Sequence, residues 1–599
     1  MFGMGKNKSD TATKPADKPA DRPADRLADR LAPAVPGIAS AMPGSRPEPR
    51  QPMLGLMQDY PLTVNKVLEH ARINHGFREV ITRSVEGPLV RQTYAEIYDR
   101  AKQVSSALLE DGMQQGDRIA TLAWNTGRHM ETWYGAMCIG GVLHTVNPRL
   151  FPEQIAWIIN HAGDTHLFFD ITFLPIVEAI VEKCPTLKHY ILLTDEAHMP
   201  AGHKVPGLKA YETYIAGKSQ DVLWGDFDER TACGLCYTSG TTGDPKGVLY
   251  SHRSNVLHSL MNVQKDGLAI GASDVVLPVV PMFHANAWGI AFSAPMTGAA
   301  LIMPGARMDG PSIYELLDTY KVTFSAAVPT VWLMLLQHLE ANNLQLPVLE
   351  RVVIGGSAVP ERILRAFEEN YQVEVIHAWG MTEMSPMGSL GSMTPEVKSK
   401  GREETVKYKL KQGRPPFGVD MKVIDDEGKD VPRDGKTSGH LVVRGWAVAK
   451  EYFKGAGGNI LDKDGFFDTG DVANICPLGF MQITDRAKDV IKSGGEWISS
   501  IDIENIAVGH PAVANAAAIG LPHPKWDERP LLIIELKPGQ SASKDDILRY
   551  LDGKIAKWWT PDDVVFTDKI PLGATGKINK LALRDQFKSH KLPTIQAAE

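Results

Sequence analysis

The stretch Cys236-Tyr-Thr-Ser-Gly-Thr-Thr-Gly-Asp-Pro-Lys-Gly247 crowds hydroxyls, glycines and one lysine into a single loop behind a short apolar run. Gly240, Gly243 and Gly247 let backbone N–H groups approach anionic oxygens. Thr238, Ser239, Thr241 and Thr242 offer hydroxyl donors, and Lys246 adds positive charge. This is the chemistry of a phosphate cradle. It is not a Walker A loop, which needs a glycine, four residues and then Gly-Lys-Ser/Thr. The pair Cys233 and Cys236 has CxxC spacing, but alternation along a strand puts the two side chains on opposite faces. No second pair or histidine couple completes a zinc site, so both read as core residues.

Further motifs follow in order: Gly355-Gly-Ser-Ala-Val-Pro360, Ala378-Trp-Gly-Met-Thr-Glu383, Phe467-Asp-Thr-Gly-Asp471, Asp485-Arg-Ala-Lys-Asp489 and Thr575-Gly-Lys577. On these and the phosphate loop, the chain resembles the adenylate-forming superfamily of acyl-CoA synthetases, firefly luciferase and peptide-synthetase adenylation domains. The likeness spans nearly everything after the first fifty residues. It implies a two-step reaction using ATP, Mg²⁺ and coenzyme A, in which a carboxylate is adenylated and the acyl group then passes to the thiol. By that resemblance Lys577 meets the charge on the transferring phosphoryl group, and Glu383 with Thr241 holds Mg²⁺. Asp471 accepts from the ribose hydroxyls with Arg486 as companion. Trp379 stands where the family usually has tyrosine and is expected to stack on adenine. Gly355, Gly356 and Ser357 frame base and ribose, and Gly380 and Thr382 complete the nucleotide set. Lys488 matches the hinge between a large and a small domain, and Gly494 and Gly495 give the pantetheine arm of coenzyme A close passage.

The acid pocket is expected at Pro281-Met-Phe-His-Ala-Asn-Ala-Trp-Gly289, which lacks the aspartate by which peptide-synthetase relatives hold an amino group. An amino-acid substrate is therefore not expected. His284 lines or gates this pocket, although a packed core histidine is nearly as good a reading, and Trp288 limits its depth. The strings Asn147-Pro-Arg-Leu-Phe-Pro-Glu-Gln154, Lys492-Ser-Gly-Gly-Glu-Trp-Ile-Ser499 and His523-Pro-Lys-Trp-Asp-Glu-Arg-Pro530 are similar to the branch of medium-chain fatty acyl-CoA ligases and methylmercaptopropionate-CoA ligases. A medium-chain fatty acid is favoured. The alternatives are methylmercaptopropionate or another short acid, or an acyl-AMP ligase that loads a carrier protein, and a luciferase-like oxygenase is a further class.

Positioning such groups takes a large α/β scaffold. Short β-rich runs alternate with amphipathic stretches from Tyr60 onward. Strands are expected at 118–124, 166–170, 189–194, 275–283, 300–304, 324–328, 351–354 and 373–378, and a helix at 94–109 with Ile97, Ala101, Val104 and Leu108 on one face. After about residue 410, short strands and turns predict a small β-barrel-like unit. From residue 486, strands such as 531–536 and helices such as 544–557 predict a smaller, mobile α+β domain. The fold class is thus α/β multidomain: a Pro/Ala/charged tail over 1–50, a large N-terminal adenylation domain over 51–485 and a small C-terminal domain over 486–599.

Composition narrows the partners. At 599 residues with a net charge of −7, the chain has no broad basic surface for nucleic acid, and its five cysteines are too few for a disulfide framework. No apolar run reaches the roughly 18 to 20 residues that a membrane span needs. The repeated Pro-Ala-Asp tail carries too much acid for a mitochondrial presequence and too little apolar surface to fold. A cytoplasmic enzyme of small-molecule substrates is expected, with a homodimer left open.

Overall fold

The computed structural model describes residues 53–238, 244–493, 496–573 and 578–596. By contacts the chain divides into Met1–Tyr60 and Pro61–Glu599, and the second unit carries the elements below. The expected tail lies almost wholly outside the described residues.

Two mostly parallel sheets form the large N-terminal domain. One has seven strands, in the spatial order Lys209–Ala210, His189–Leu192, Asp164–Phe169, Arg118–Leu122, Val142–Thr145, Ala232–Tyr237 and Gly247–Ser251. Only its last pair is antiparallel. The other has eight, in the order Met387–Leu390, Glu374–Gly380, Arg351–Gly355, Phe324–Ala327, Val275–Pro278, Ala300–Met303, Glu79–Arg83 and Leu89–Thr93. Its six inner strands are parallel, with an antiparallel strand at each edge. Parallel strands are covered on both faces, which is why these segments are almost continuously apolar and buried.

The helix Tyr94–Glu110 fits its predicted face, burying Ile97, Ala101, Val104 and Leu108 behind a Thr93/Glu96 capping box. Two expectations were too long. The run 275–283 is a strand only as far as Pro278, because prolines at 278 and 281 cannot donate to a ladder. The remainder stays buried because Asn125 Nδ2 donates to Pro278 O and Val280 O at 2.7 and 2.9 Å, while its Oδ1 accepts from Met282 N at 2.6 Å. The helix expected over 544–557 ends at Leu551, where Asp552 turns extended and Gly553 takes a φ of 72°.

The small β unit is an antiparallel sheet of Val419–Ile424, Gly439–Gly445, Phe467–Ile475 and Met481–Arg486. Among the described residues no ladder joins Val419–Ile424 to Met481–Arg486, whose outer edges meet only the isolated bridges at Asp430 and Gly413, so the barrel-like expectation is corrected: four strands do not close. The smaller C-terminal domain has its own five-stranded sheet, in which Asp527–Leu536 is central and Val513–His523 pairs along one side of it. Alternate residues there feed two separate apolar clusters. Ala516, Ala518, Leu532 and Ile534 serve one, and Ala517, Ile519, Leu531 and Ile533 the other. Every member of both clusters comes from residue 491 or later.

Cys233 and Cys236 are buried and unbridged, as are the other three cysteines. Cys233 Sγ accepts from Asn255 Nδ2 at 3.2 Å, Cys236 Sγ lies 3.1 Å from Thr145 Oγ1, and burial pushes the Cys233 thiol up to about 12.

A buried ionic group lies where the small β unit meets the C-terminal domain. Lys580, nearly inaccessible, pairs with Glu504 at 2.9 Å and donates to Ser500. Asp485, fully buried, accepts from Ser500 N at 2.6 Å. Burial disfavours the lysine's charge, but Glu504 and Asp485 outweigh it and hold its pKa above the ordinary value. Lys580→Met therefore leaves buried carboxylates uncompensated and should lower stability by about 3 to 5 kcal/mol in urea denaturation, with Glu504→Gln in the same chain restoring part of the loss.

Asp170 gives a pH test. It is buried and, among the described residues, its carboxylate accepts from the Trp124 backbone N–H at 2.6 Å; burial raises its carboxyl to about 7. A raised folded pKa means the folded state binds the proton more tightly than the unfolded one. This contribution is whole below about pH 4 and is lost as pH rises through 7. Asp170→Asn should flatten the fall in stability between pH 5 and 8 by a few kcal/mol, read from chemical denaturation at each pH.

Candidate active site

The phosphate loop is the tip of a hairpin. Ala232–Tyr237 runs up and Gly247–Ser251 returns, with Tyr237 opposite Gly247 and Thr238 N donating to Lys246 O at 2.9 Å. Thr238 and Lys246 are both half-buried at its base. Ser239, Gly240, Thr241, Thr242 and Gly243 lie outside the described residues, as do Gly494, Gly495 and Lys577. Gly247 has a packing reason besides the anionic one: a Cβ there would stand 3.0 Å from Phe453 Cβ and 3.1 Å from a Leu235 methyl. Tyr237, one residue before Thr238, places its hydroxyl 2.6 Å from His161 Nδ1 and so anchors the ascending arm.

The two glycine-containing turns sit side by side. Arg351–Gly355 and Glu374–Gly380 are parallel neighbours with Gly355 opposite Ala378, so Gly356-Ser357 and Gly380-Thr382 both leave the carboxyl ends of adjacent strands. That end of an open α/β sheet is where ligands bind. Gly356, Ser357 and Gly380 are exposed there and Thr382 is half-buried. Gly356 adopts a φ of 86°, which favours glycine, and a Cβ on Gly355 would fall 3.1 Å from the Trp288 ring.

Trp379 and Asp471 join this turn to the small β unit. The indole Nε1 donates to Asp471 Oδ2 at 3.0 Å, and Arg486 Nε lies 3.4 Å from Oδ1. Asp471 is opposite Arg486 in the antiparallel register, which brings their side chains to one face. Asp471 is 2% exposed and Trp379 8%. The indole is therefore tied edge-on to the carboxylate and packed against Gly388, where a Cβ would meet the ring at 2.4 Å.

Glu383 closes the other side. Its carbonyl accepts from Ala449 N at 2.7 Å, its Oε1 accepts from the Tyr452 hydroxyl at 2.6 Å, and the neighbouring Thr382 carbonyl accepts from the Tyr250 hydroxyl at 2.7 Å. Its second oxygen has no hydrogen bond among the described residues, so a hard anionic oxygen is left for a cation such as Mg²⁺. The two groups of described residues that cluster like metal ligands, Asp111 with His166 and His189, and Glu86 with Asp195 and His198, include none of the residues expected to hold Mg²⁺. A cavity of about 310 Å³ lined in part by Arg100, Arg128, Glu86, Glu212 and Asp170 likewise shares no residue with this site.

His284, half-buried, precedes a turn in which Ala285, Asn286, Ala287 and Trp288 have φ between 43° and 58°. Four successive non-glycine residues in the left-handed region are costly, about 1 to 2 kcal/mol each, and need strong local support. That support comes from Asn262 Nδ2, which donates to Trp288 O at 2.9 Å, and from burial of Ala285 through Gly289. Lys488, exposed, lies in the turn after Met481–Arg486. There Arg584 pairs with Asp489 at 2.9 Å and donates to Lys488 O at 3.1 Å, tying the helix Lys580–Gln586 to the segment expected to be the hinge. Sequence reading missed Asn125, Tyr250, Tyr452 and Arg584, each of which acts on partners far away in the chain and belongs to no motif.

Residues 69–453 match the model of the AMP-binding enzyme family, and residues 502–577 match that of the AMP-binding enzyme C-terminal domain. The chain is 50% identical over 536 residues to a 3-methylmercaptopropionyl-CoA ligase of Ruegeria lacuscaerulensis, covering 90% of this chain and 99% of that one. It is 46% identical over 535 residues to a medium-chain fatty acid CoA ligase of Ectopseudomonas oleovorans, covering 89% and 98%. Its fold is similar to that of an anthranilate CoA ligase in complex with anthranoyl-AMP, with a TM-score of 0.77, 24% identity and coverage of 88% and 98%.

Trp379→Phe keeps the ring and deletes the donor to Asp471. It should weaken binding of a fluorescent ATP analogue by roughly tenfold, the cost of one hydrogen bond to a charged group, without changing the melting temperature by more than a few degrees.

Proposed function

The chain belongs to the AMP-binding enzyme family within the adenylate-forming superfamily, and from that we propose an ATP-dependent acyl-CoA ligase whose preferred acid is a medium-chain fatty acid. One observation carries the reading. Among the described residues, Gly356, Ser357, Gly380 and Glu383 follow the carboxyl ends of two adjacent parallel strands and Trp379 there bonds Asp471, in a chain whose 50% and 46% identical relatives are both CoA ligases.

A carboxylate resists attack by a thiol because oxide is a poor leaving group. Adenylation replaces that leaving group. A carboxylate oxygen attacks the α-phosphorus of ATP and pyrophosphate departs. The sulfur of coenzyme A then attacks the acyl carbon, its proton is lost and AMP departs. Asp471, held by Trp379 and Arg486, accepts from the ribose hydroxyls, because a carboxylate can only accept and a diol can donate twice. The adenine lies against Trp379 beside Gly356 and Ser357. The phosphate-loop hydroxyls and Lys246 fix the β- and γ-phosphates, and Lys577 meets the charge that builds on the transferring group. Mg²⁺ held by Glu383 with Thr241 neutralises phosphate charge when bound. Lys488 is the hinge about which a domain starting near residue 486 turns, after which Gly494 and Gly495 admit the pantetheine arm.

The acid lies along the 281–289 segment, with His284 at its mouth and Trp288 as its floor. Each methylene buried there is worth about 0.8 kcal/mol, so neighbouring chain lengths differ only several-fold. The name of the 50% identical relative favours one second reading, 3-methylmercaptopropionate. No helix among the described residues is long and apolar enough to cross a membrane.

The test is product formation with ATP, Mg²⁺ and acids from propionate to palmitate plus 3-methylmercaptopropionate, with and without coenzyme A, read by mass spectrometry. Acyl-CoA and AMP peaking at medium chains is the expected outcome, and a peak at 3-methylmercaptopropionate selects the second reading. Acyl-AMP without acyl-CoA overturns coenzyme A as acceptor. Lys577→Ala should slow the adenylation step about 10² to 10³-fold.

A further inference from the structure

Tyr452 belongs to none of the motifs that mark the nucleotide site, yet two of the site's charged groups converge on it. Its hydroxyl donates to Glu383 Oε1 at 2.6 Å across 69 residues of sequence. Its ring lies under the ammonium of Lys246, which stands 5.0 Å from the centroid. The same lysine is confined from the other side by Gly457, where a Cβ would lie 3.1 Å from Nζ. Tyr452 and Glu383 are both buried, and nothing else among the described residues bonds the Glu383 carboxylate. Burial, and then the Glu383 charge, push the tyrosine hydroxyl's pKa up, so it remains a hydrogen-bond donor to Glu383.

A buried carboxylate with a single short donor is fixed in rotamer. One oxygen is committed and the other points where the donor does not. Removing that donor frees the side chain to rotate or forces it to shed charge, and either costs metal affinity.

We propose that Tyr452 is a positioning residue for adenylation, whose hydroxyl holds Glu383 so that its second oxygen is presented to the metal of the nucleotide, while its ring steadies Lys246 beside the phosphate loop. This rests on the reading of Glu383 as the metal-binding carboxylate and adds to it the group that orients that carboxylate. A purely structural tyrosine would contribute to stability and leave metal affinity unchanged.

Tyr452→Phe isolates the hydroxyl, because the phenyl ring retains the packing and the contact with Lys246. Mn²⁺ binding to the full-length protein with a non-hydrolysable ATP analogue, followed by the electron paramagnetic resonance signal of free Mn²⁺, reads metal affinity without turnover. Tyr452→Phe should weaken Mn²⁺ binding by roughly tenfold, the usual cost of losing a partner of a metal ligand. Glu383→Gln should weaken it further. Parent-like Mn²⁺ affinity in Tyr452→Phe with a clear loss in Glu383→Gln overturns the role of Tyr452 alone. Parent-like affinity in both overturns the reading of Glu383 and the positioning role together.

Discussion

A carboxylate cannot stay charged inside a protein unless something compensates it, and Asp471 is the point where this constraint shapes the molecule. Its compensation comes from two directions. The indole N–H of Trp379 arrives from the end of a parallel strand in the eight-stranded sheet, and the guanidinium of Arg486 from the adjacent strand of the small β unit. The pairing therefore fixes the position of one sheet against the other. The Gly356-Ser357 turn, the Glu383 loop and the segment around Lys488 all hang from strands that this contact holds in register. Trp379 and Arg486 both approach that carboxylate as donors.

Much of this was legible in the sequence because it is local. The glycines Gly355 and Gly356, the hydroxyls from Thr238 to Thr242 and the acidic ends of the Glu383 and Asp471 motifs each sit within one short motif of a few residues. Continuous apolar runs gave the parallel strands. What was not legible depends on partners remote in the chain. Nothing near Tyr452 announces Glu383, and nothing near Asn125 announces the proline-broken run that it holds. The overlong strand over 275–283 and helix over 544–557 have a common origin. Apolar or amphipathic pattern continues past the point where a proline, or a glycine at positive φ, ends the backbone hydrogen bonding. The β-barrel expectation failed for a different reason: short strands with turns specify antiparallel pairing, but closure depends on strand number and stagger, which alternation does not encode.

Charge is distributed unevenly between structural and chemical duties. Arg100 and Arg128 share Glu212 in the large domain, and Lys580 is wedged between carboxylates in the small one. These groups are satisfied by protein partners. Lys246 rests against an aromatic face, and Glu383 keeps an oxygen without a hydrogen bond among the described residues. Among the described residues neither pairs with an opposite charge, which suits the phosphate and metal proposed as their partners.

The two apolar clusters of the C-terminal domain draw on no residue before 491, and none of the other clusters of buried apolar residues reaches past Met481. The oil of the molecule is partitioned. Sliding one part past the other would expose little of either cluster, and what it breaks are polar links: the Arg584–Asp489 pair, which water can replace at small cost, and the buried bond from Ser500 to Asp485, which costs more. The barrier to such a rearrangement is then set by hydration and ionic strength more than by cohesion. The turn proposed about Lys488 would then rearrange polar contacts without softening either core.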